Sequence, residues 1–458
     1  MILHNVHGKD DIYMPVRVGM VSLGCAKNRV DAEMMMYTLR EAGFELVKDV
    51  QYCDVAIVNT CGFIEDAKQE SIDEILDLVR LKNRHRIKAI IVTGCLAERY
   101  QSEVMKELYE VDAVVGIGGN KDIAKVINEV LEGKKKELFP DKDELPICGG
   151  RVRSTPFYYT YLKIAEGCDN HCTYCAIPMI RGRFRSRPMD DIIREAEELS
   201  GKGVREFILI AQDTSRYGED IYGCSKLPEL LRKLCAIEKL KHIRVLYCYP
   251  ERITDELIDV FATEPKVLKY IDIPMQHCNK RILKLMNRHG DRESLTALVN
   301  KLRERVPGIT IRTTFMTGFP SETEEEFTEL SEFVEEMKFE RMGCFAYSVE
   351  EDTPAAKMKD QLDEEVKRHR RDIIMEQQSR IMADNTRKFI DKKVVVLIDG
   401  FDHMTGCWFG RTAADAPDVD AKVFFVDNGK KPRIGDTVTV LVTDSVDCDL
   451  MGEMISED

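Results

Sequence analysis

The sequence predicts an α/β protein in three parts: an amino-terminal parallel sheet domain, a central partial (βα) barrel and a small carboxy-terminal antiparallel β-barrel. Three observations support this prediction. Short β-branched segments alternate with amphipathic helical segments up to about residue 135, the same alternation returns after a polar linker, and the tail has only short strands between turns. We expect the domains to span 14–135, 154–387 and 389–458.

The amino-terminal part begins with a predicted buried strand, VRVGMVSL at 16–23, and a helix over about 31–42 follows it. Further strands are predicted at 54–60, 88–94 and 112–118, with helices at 65–82, at 98–110 and up to Gly133. Strand–helix alternation at this spacing is typical of a parallel sheet that carries helices on its faces.

The central part follows a polar linker over 134–157. Its predicted strands are YTYLKIA, REFILIAQD, HIRVLYCYP, YIDIPMQH, ITIRTTFMTGFP and RMGCFAYSV, and each except the last precedes a helical segment. Six βα units predict a partial barrel rather than an eight-fold one. A charged helix over 361–388 then leads to the tail, where VVVLID, CWFGR, KVFFVD and TVTVLVT predict a small antiparallel barrel.

Composition restricts the class of protein. The chain is 44% hydrophobic and 32% charged, and no segment reaches the ~18 apolar residues of a membrane span. The start, MILHNVHGKDDIYMP, lacks the layout of a signal peptide, so the 15 cysteines indicate reduced thiols in the cytoplasm rather than a disulfide framework. A formal net charge of −14 favours small-molecule or basic-protein partners over nucleic acid.

The strongest motif is GCDNHCTYC, which contains Cys168, Cys172 and Cys175. It follows the first strand of the predicted barrel, and barrel active sites form at the carboxyl ends of the strands. Three thiolates hold three corners of a cubane iron–sulfur cluster and leave the fourth iron open. The alternative is a zinc site with His171 as the fourth ligand, which would be strained because His171 and Cys172 are adjacent.

A second motif is spread over the amino-terminal part. Cys25, Cys61 and Cys95 each end a predicted parallel strand and precede a helix. Because the carboxyl ends of parallel strands share one edge of a sheet, we expect these three cysteines to meet in space. A buried free cysteine usually packs as a small hydrophobe, but three in equivalent positions favour a second three-thiolate cluster.

The barrel cysteine motif resembles the radical S-adenosylmethionine superfamily. Together with the strand-end cysteines and a TRAM-like tail, the barrel resembles the methylthiotransferases of that superfamily. This second resemblance covers the chain from Val16 to Glu453. The resemblance implies two 4Fe–4S clusters and S-adenosylmethionine as cofactors. It implies that the barrel cluster binds S-adenosylmethionine for cleavage to a 5′-deoxyadenosyl radical, and that the second cluster carries the transferred sulfur. An electron donor such as flavodoxin or ferredoxin is also implied.

Within that family, VSLGCAKNRVDAE, RGRFRSRP and GRTAADAPDVDA resemble the members that methylthiolate an aspartate β-carbon of small-subunit ribosomal protein S-twelve. The alternatives are a tRNA adenosine methylthiotransferase and a non-catalytic iron–sulfur sensor or sulfur carrier. The tail over 389–458 has seven basic and fourteen acidic residues, including Asp415, Asp418 and Asp420. We therefore expect it to attract a basic protein over the barrel mouth and to repel tRNA.

The resemblance also implies five cofactor-binding residues. Tyr174, between the second and third cysteines, is expected near the adenine. Gln212 and Asp213 end a strand at the barrel mouth and are expected to contact the amino group or the ribose hydroxyls. Thr317 and Gly318 resemble the segment where backbone approaches the cofactor. The alternatives are aromatic packing, loop capping and a strand-end turn, respectively.

Four arginines follow the barrel cysteines at alternate positions: Arg181, Arg183, Arg185 and Arg187. A charge run of this kind usually forms a solvated face. Its position beside the cysteine loop makes recognition of a carboxylate or phosphate an equal alternative.

Overall fold

The computed structural model describes residues 15–429 and 431–455, and the chain divides into two compact units at Ser154 and Thr155. The strands are β1 Arg17–Ser22, β2 Glu45–Val47, β3 Val55–Thr60, β4 Ala89–Gly94, β5 Ala113–Val115, β6 Lys136–Leu138, β7 Tyr159–Lys163, β8 Ala165–Glu166, β9 Arg185–Ser186, β10 Glu206–Ile210, β11 His242–Val245, β12 Val267–Gln276, β13 Thr310–Thr317, β14 Arg341–Ala346, β15 Lys393–Asp402, β16 Cys407–Arg411, β17 Val423–Val426, β18 Thr437–Val446 and β19 Asp449–Met454. The helices are α1 Ala26–Glu41, α2 Glu65–Asn83, α3 Cys95–Tyr100, α4 Ser102–Glu107, α5 Ile123–Leu131, α6 Ile177–Arg181, α7 Met189–Gly201, α8 Glu219–Tyr222, α9 Leu227–Cys235, α10 Asp255–Thr263, α11 Lys280–Leu285, α12 Arg292–Arg305, α13 Glu324–Met337 and α14 Glu364–Arg387.

The first unit is a parallel sheet with the strand order β2-β1-β3-β4-β5-β6, as the strand–helix alternation predicts. Strands β3 and β4 are buried along their whole length because helices cover both faces of the sheet. Val55 and Ile57 pack with α1 and α5 on one face, whereas Ala56 and Val58 pack with α2 and α3 on the other.

The structure differs from the predicted elements of this unit at four places. The edge strands β2 and β6 were not predicted, because three residues of mixed polarity give no periodic signal. The helix predicted over 98–110 is divided into α3 and α4 at Gln101, whose φ is +46°. Helix α1 begins at Ala26, earlier than predicted, because Cys25 is its extended N-cap residue.

The second unit begins with an open sheet of six parallel strands in the order β7-β10-β11-β12-β13-β14. The helices that connect these strands pack against it and form one large apolar core. This arrangement confirms the predicted partial (βα) barrel.

The tail is a closed barrel in the order β15-β16-β17-β19-β18. Its strand pairs are antiparallel except for β17 and β19, which run parallel. The sequence did not predict β19, because only Asp447 and Cys448 separate it from β18.

Every helix in the described parts of the chain is too short or too polar to cross a membrane.

The tail packs against the amino ends of the barrel strands. Glu206, the first residue of β10, accepts a 2.6 Å hydrogen bond from Arg411, and Asp420 accepts one of 2.6 Å from the Tyr270 hydroxyl. Asp415 pairs with Arg341, the first residue of β14. The tail is therefore anchored at the end of the barrel opposite the cysteine loop.

This anchoring corrects the expectation of an acidic docking surface that includes Asp415 and Asp420. Their side chains are only 4% and 3% exposed, and barrel arginines pair with both of them. Of the three named aspartates, Asp418 alone is exposed. The tail also lies at the end of the barrel opposite the cysteine loop, so the expectation that it orients a partner over the barrel mouth is wrong. A charge count gives the sum of the charges but not the partner of each one.

Candidate functional site

The barrel cysteines lie on a loop that leaves the carboxyl end of the first barrel strand. Gly167 starts this loop with a φ of +76°, and a Cβ atom there would overlap the carbonyl oxygen of Arg183. The backbone N–H of Cys168 donates to the carbonyl of Gly182 at 3.2 Å. Glycine is therefore required for the close approach of these two segments.

A segment after α11 supports the middle of the loop. The backbone N–H and hydroxyl of Thr173 donate to the carbonyls of Met286 and Leu285 at 3.1 and 2.8 Å. The side-chain amide of Asn287 donates to two further loop carbonyls, at 3.1 and 3.2 Å. These contacts fix the backbone of the loop without using the three sulfur atoms.

Cys172 is buried, and Cys168 and Cys175 are partly buried. Burial raises the pKa of the Cys168 thiol to about 11, and it also raises the pKa of Cys175. Metal binding would therefore have to displace protons from these thiols. Three soft thiol donors on one short loop fit an iron–sulfur cluster with one open iron.

The structure does not support the zinc alternative. His171 is exposed, on backbone with a φ of +50°. Within the described ranges, no three His, Cys, Asp or Glu side chains converge on the position of a single metal ion. A cubane does not require such convergence, because each thiolate binds a different iron.

A buried carboxylate precedes the cysteine loop. Glu166 contacts the Lys163 ammonium at 2.8 Å and the Arg181 guanidinium at 3.4 Å, and it accepts a 2.7 Å hydrogen bond from the Gln212 amide. Burial acts to raise the pKa of Glu166, but the two cations outweigh burial and lower it to about 2. The residue is therefore an anion at neutral pH.

Two arginines of the alternating run have carboxylate partners within the chain. Arg181 is buried against Glu166, and Arg187 is buried against Glu195 at 2.7 Å. Only Arg183 of the four is exposed. The expected solvated face is therefore wrong for Arg181 and Arg187.

The predicted cofactor residues Gln212 and Asp213 lie beside the cysteine loop. The Gln212 amide nitrogen is fixed on Glu166, and its Oε1 atom is buried with no hydrogen-bond partner among the described residues. Asp213 is buried and accepts hydrogen bonds from Asn170 of the loop at 2.9 Å and from Ser215. Gln212 therefore offers an unused acceptor, whereas Asp213 orients the loop.

The other three predicted residues lie in a small apolar cluster or beside helix α14. Tyr174 packs at the edge of a cluster that contains Phe319. The carbonyl of Thr317 accepts from the backbone N–H of Tyr347, the residue after β14, at 2.9 Å. Gly318 has a φ of +71°, and a Cβ atom there would overlap the Lys367 side chain of α14.

Close glycine contacts bring the amino-terminal cysteines together. A Cβ atom on Gly24 would lie 2.8 Å from the Cys61 sulfur, so the turn before Cys25 touches Cys61. A Cβ on Gly62 would lie 2.7 Å from the backbone nitrogen of the residue that follows Cys95. The three turns therefore meet at the carboxyl edge of the sheet, where Cys95 is buried and Cys25 is exposed.

Two buried asparagines, which were not predicted as site residues, connect these turns. The Asn28 side-chain amide donates to the carbonyls of Leu23 and Thr60 at 2.8 and 3.2 Å. The Asn59 amide donates to the carbonyl of Asn28 at 2.7 Å. For Asn59 the available signal was a polar residue near the end of the otherwise apolar strand β3, whereas Asn28 lies in α1 and gave no such signal.

Glu166, Tyr249 and Arg288 were also not predicted from the sequence. Tyr249 lies with its hydroxyl within hydrogen-bond distance of the Cys172 sulfur, and Arg288 stacks on its ring. The glutamate directly before the GC of the motif was a usable signal. The tyrosine and the arginine lie more than 70 residues from Cys172 and carry no such signal.

Family models match all three parts of the chain. Residues 17–116 match Uncharacterized protein family UPF0004, residues 162–334 match the Radical SAM superfamily, and residues 390–455 match the TRAM domain. The matches follow the chain order of the sheet domain, the open barrel and the closed barrel.

Curated relatives match along nearly the whole chain. A ribosomal protein uS12 methylthiotransferase RimO from Lachnoclostridium phytofermentans is 49% identical over 95% of this chain and 99% of its own. A protein of the same name from Caldicellulosiruptor saccharolyticus is 48% identical over 96% of this chain and 100% of its own. The protein uS12 is small-subunit ribosomal protein S-twelve.

Among solved structures, the radical S-adenosylmethionine methyltransferase TsrM from Kitasatospora setae, with cobalamin and a 4Fe–4S cluster bound, is similar in fold. Its TM-score is 0.57 at 15% identity, over 75% of this chain and 77% of that chain. The cobalamin-dependent radical enzyme OxsB has a TM-score of 0.50 at 12% identity, over 79% of this chain and 56% of that chain. At these identities the likeness concerns the fold alone.

Proposed function

The chain belongs to the family of ribosomal protein uS12 methylthiotransferases, and from this premise we propose that it transfers a methylthio group to an aspartate β-carbon of uS12. The observation that carries the proposal is the pair of cysteine triads. The turns that carry Cys25, Cys61 and Cys95 meet at the carboxyl edge of a parallel sheet, whereas the barrel triad shares one loop after the first barrel strand. A non-catalytic sensor or sulfur carrier would not need the second triad at a barrel mouth with an unused acceptor beside it.

We propose that each triad holds a 4Fe–4S cluster: Cys25, Cys61 and Cys95 the amino-terminal one, and Cys168, Cys172 and Cys175 the barrel one. When bound, the clusters would supply the electron that cleaves S-adenosylmethionine and the site that carries the transferred sulfur. The chain itself fixes the thiols through the glycine turns and through the contacts of the 285–287 segment.

For S-adenosylmethionine, we propose that the Gln212 Oε1 atom accepts from the ammonium group or a ribose hydroxyl. Its buried position and lack of a partner among the described residues support this role. Tyr174 would lie beside the adenine, and Asp213 would hold the loop through Asn170. Thr317 and Gly318 would shape the far side of the binding site from the end of β13.

We propose three domains, at 14–135, 154–387 and 389–458, and an electron donor such as flavodoxin or ferredoxin. A ribosomal protein substrate supports action in the cytoplasm. A basic protein fits the net charge of −14 better than tRNA does.

The test is an assay of the anaerobically reconstituted full chain with a reductant and S-adenosylmethionine. Purified uS12 and bulk tRNA are supplied in parallel, and mass spectrometry follows methylthiolation while chromatography follows 5′-deoxyadenosine. We expect methylthio-aspartate in uS12 and unmodified tRNA. Modification of tRNA alone would favour the tRNA alternative, and the absence of 5′-deoxyadenosine would favour a sensor or carrier.

A further inference from the structure

The barrel cysteine Cys172 has a side-chain hydrogen-bond partner. It is buried, and its sulfur lies within hydrogen-bond distance of the Tyr249 hydroxyl. A thiolate can only accept, so the phenol donates whenever Cys172 is a metal ligand. The Cys175 sulfur, by comparison, receives a long contact of 3.5 Å from the backbone N–H of Ile177.

A buried cation lies behind this phenol. The Arg288 guanidinium carbon is 4.1 Å from the centre of the Tyr249 ring, and the residue is only 6% exposed. Its Nη2 atom donates to the carbonyl of Pro274 at 2.7 Å, which fixes the plane of the guanidinium. The cation and the phenol therefore form one stack that ends at the Cys172 sulfur.

The backbone on both sides of this stack is also fixed. The N–H of Tyr249 donates to the Ser215 hydroxyl at 3.0 Å, and that hydroxyl donates to Asp213. Arg288 follows Asn287, whose side chain holds the cysteine loop. The stack is thus positioned by the same contacts that position the cysteines.

We infer that Tyr249 and Arg288 are positioning residues that raise the reduction potential of a cluster held by Cys168, Cys172 and Cys175. Reduction of such a cluster adds one negative charge, which a hydrogen bond to a ligand sulfur and a nearby cation stabilise. The inference rests on the cluster assignment proposed above. Tyr249 and Arg288 would then determine how readily the cluster accepts its electron.

The test is a redox titration, followed by electron paramagnetic resonance, of the full chain. The parent carries Cys25→Ala, Cys61→Ala and Cys95→Ala, so that only the barrel cluster titrates. Tyr249→Phe keeps the ring and its contact with Arg288 but removes the donor. At a fixed solution potential we expect about a tenfold lower ratio of reduced to oxidised cluster, which equals a midpoint ~59 mV more negative for one electron.

Two further variants separate tuning from packing. Arg288→Gln removes the charge, and we expect a shift in the same direction. Tyr161→Phe is the matched control, because it removes a buried phenol whose hydroxyl donates to Asp418 at the other end of the barrel. We expect the control to keep the parent midpoint and iron content.

An unchanged or more positive midpoint potential of the barrel cluster in Tyr249→Phe would overturn the inference. Loss of iron from that variant would also overturn it, because the hydroxyl would then be needed to hold the cluster rather than to set its potential. Should Arg288→Gln fail to fold, Tyr249→Phe decides alone. If the parent binds no iron, the assignment of a cluster to the barrel cysteines is overturned together with the inference. If the parent binds iron and has the same midpoint potential as Tyr249→Phe, only the inference is overturned.

Discussion

At the scale of single residues, glycines and asparagines determine where the amino-terminal thiols lie. Gly24 has a φ of +79° and leaves room for the Cys61 sulfur, and the Asn28 side chain joins the first turn to the second. A side chain at position 24 would therefore act on the site by two routes, backbone strain and direct overlap. A control variant can separate these two effects, because Gly43 has a left-handed backbone but open space around the position of a Cβ atom.

We predict that Gly24→Ala lowers the iron content of the reconstituted full chain from about eight atoms per chain to about four, because the amino-terminal cluster fails to assemble. Gly43→Ala is the matched control. Gly43 has a φ of +88°, but a Cβ atom there would meet no described atom within 4 Å, so only the left-handed backbone, about 1–2 kcal/mol, is affected. Equal iron contents in the two variants would show that the close contact at Gly24 does not matter.

At the scale of secondary-structure elements, buried ion pairs join the tail to the barrel strands. Glu206 at the start of β10 contacts Arg244 of β11 at 3.1 Å and Arg411 of β16 at 2.6 Å, and all three are buried. Burial acts to raise the pKa of Glu206, but Arg411 and Arg244 outweigh it and lower the pKa to about 2. Removal of this carboxylate would take away the partner that Arg244 and Arg411 share, and Arg411 would keep only its 3.3 Å contact with Asp399.

We predict that Glu206→Gln destabilises the tail by about 3–5 kcal/mol at pH 7. Because the pKa in the folded chain is about 2, below the ordinary 4.5, the stabilisation is complete above pH 4.5 and is lost as the pH falls from there towards 2. The difference between the variant and the wild type should therefore shrink below pH 4.5. Trp408 of β16 is the single tryptophan, so its fluorescence in a urea titration reports on the tail.

Glu198→Gln serves as the control for this prediction. Glu198 pairs with Lys202 on the surface of α7, where its side chain is 63% exposed. An exposed pair of this kind contributes about 0–1 kcal/mol. If Glu206→Gln lowers the unfolding free energy of the tail as little as Glu198→Gln does, the anchoring role of Glu206 is contradicted.

At the scale of the whole molecule, the two compact units each carry one cysteine triad. The triads are fixed by separate sets of contacts, the glycine turns in the first unit and the 285–287 segment in the second. Their chemical roles can therefore be separated by substitution within one unit at a time.

We predict that alanine at Cys168, Cys172 and Cys175 abolishes 5′-deoxyadenosine formation, because no thiolate remains to hold the barrel cluster. Alanine at Cys25, Cys61 and Cys95 should retain that product and stop methylthiolation of uS12. Chromatography and mass spectrometry of the two variants check both outcomes. Methylthiolated uS12 from the second variant would contradict the sulfur-carrying role of the amino-terminal triad.

The sequence by itself determined the order and type of most elements, and it determined that the three amino-terminal cysteine turns meet at one edge of the sheet. The first follows from local hydrophobic periodicity, and the second follows because parallel strands end at one edge of a sheet. Both depend on residues that are neighbours in the chain or occupy equivalent strand ends. This is why the sequence predicted that the turns carrying Cys25, Cys61 and Cys95 meet, although they lie tens of residues apart.

Only the tertiary structure decided which charges and polar groups are paired. Arg181 meets Glu166, Asp415 meets Arg341, and Tyr249 meets Cys172, with separations of 15, 74 and 77 residues. An ion pair or hydrogen bond of this kind requires two side chains within about 3–4 Å, and residue type and spacing do not encode that distance. Asp415 and Asp420 were misinterpreted for this reason: their charges were visible in the sequence, but their pairing with barrel arginines depends on how the two barrels pack.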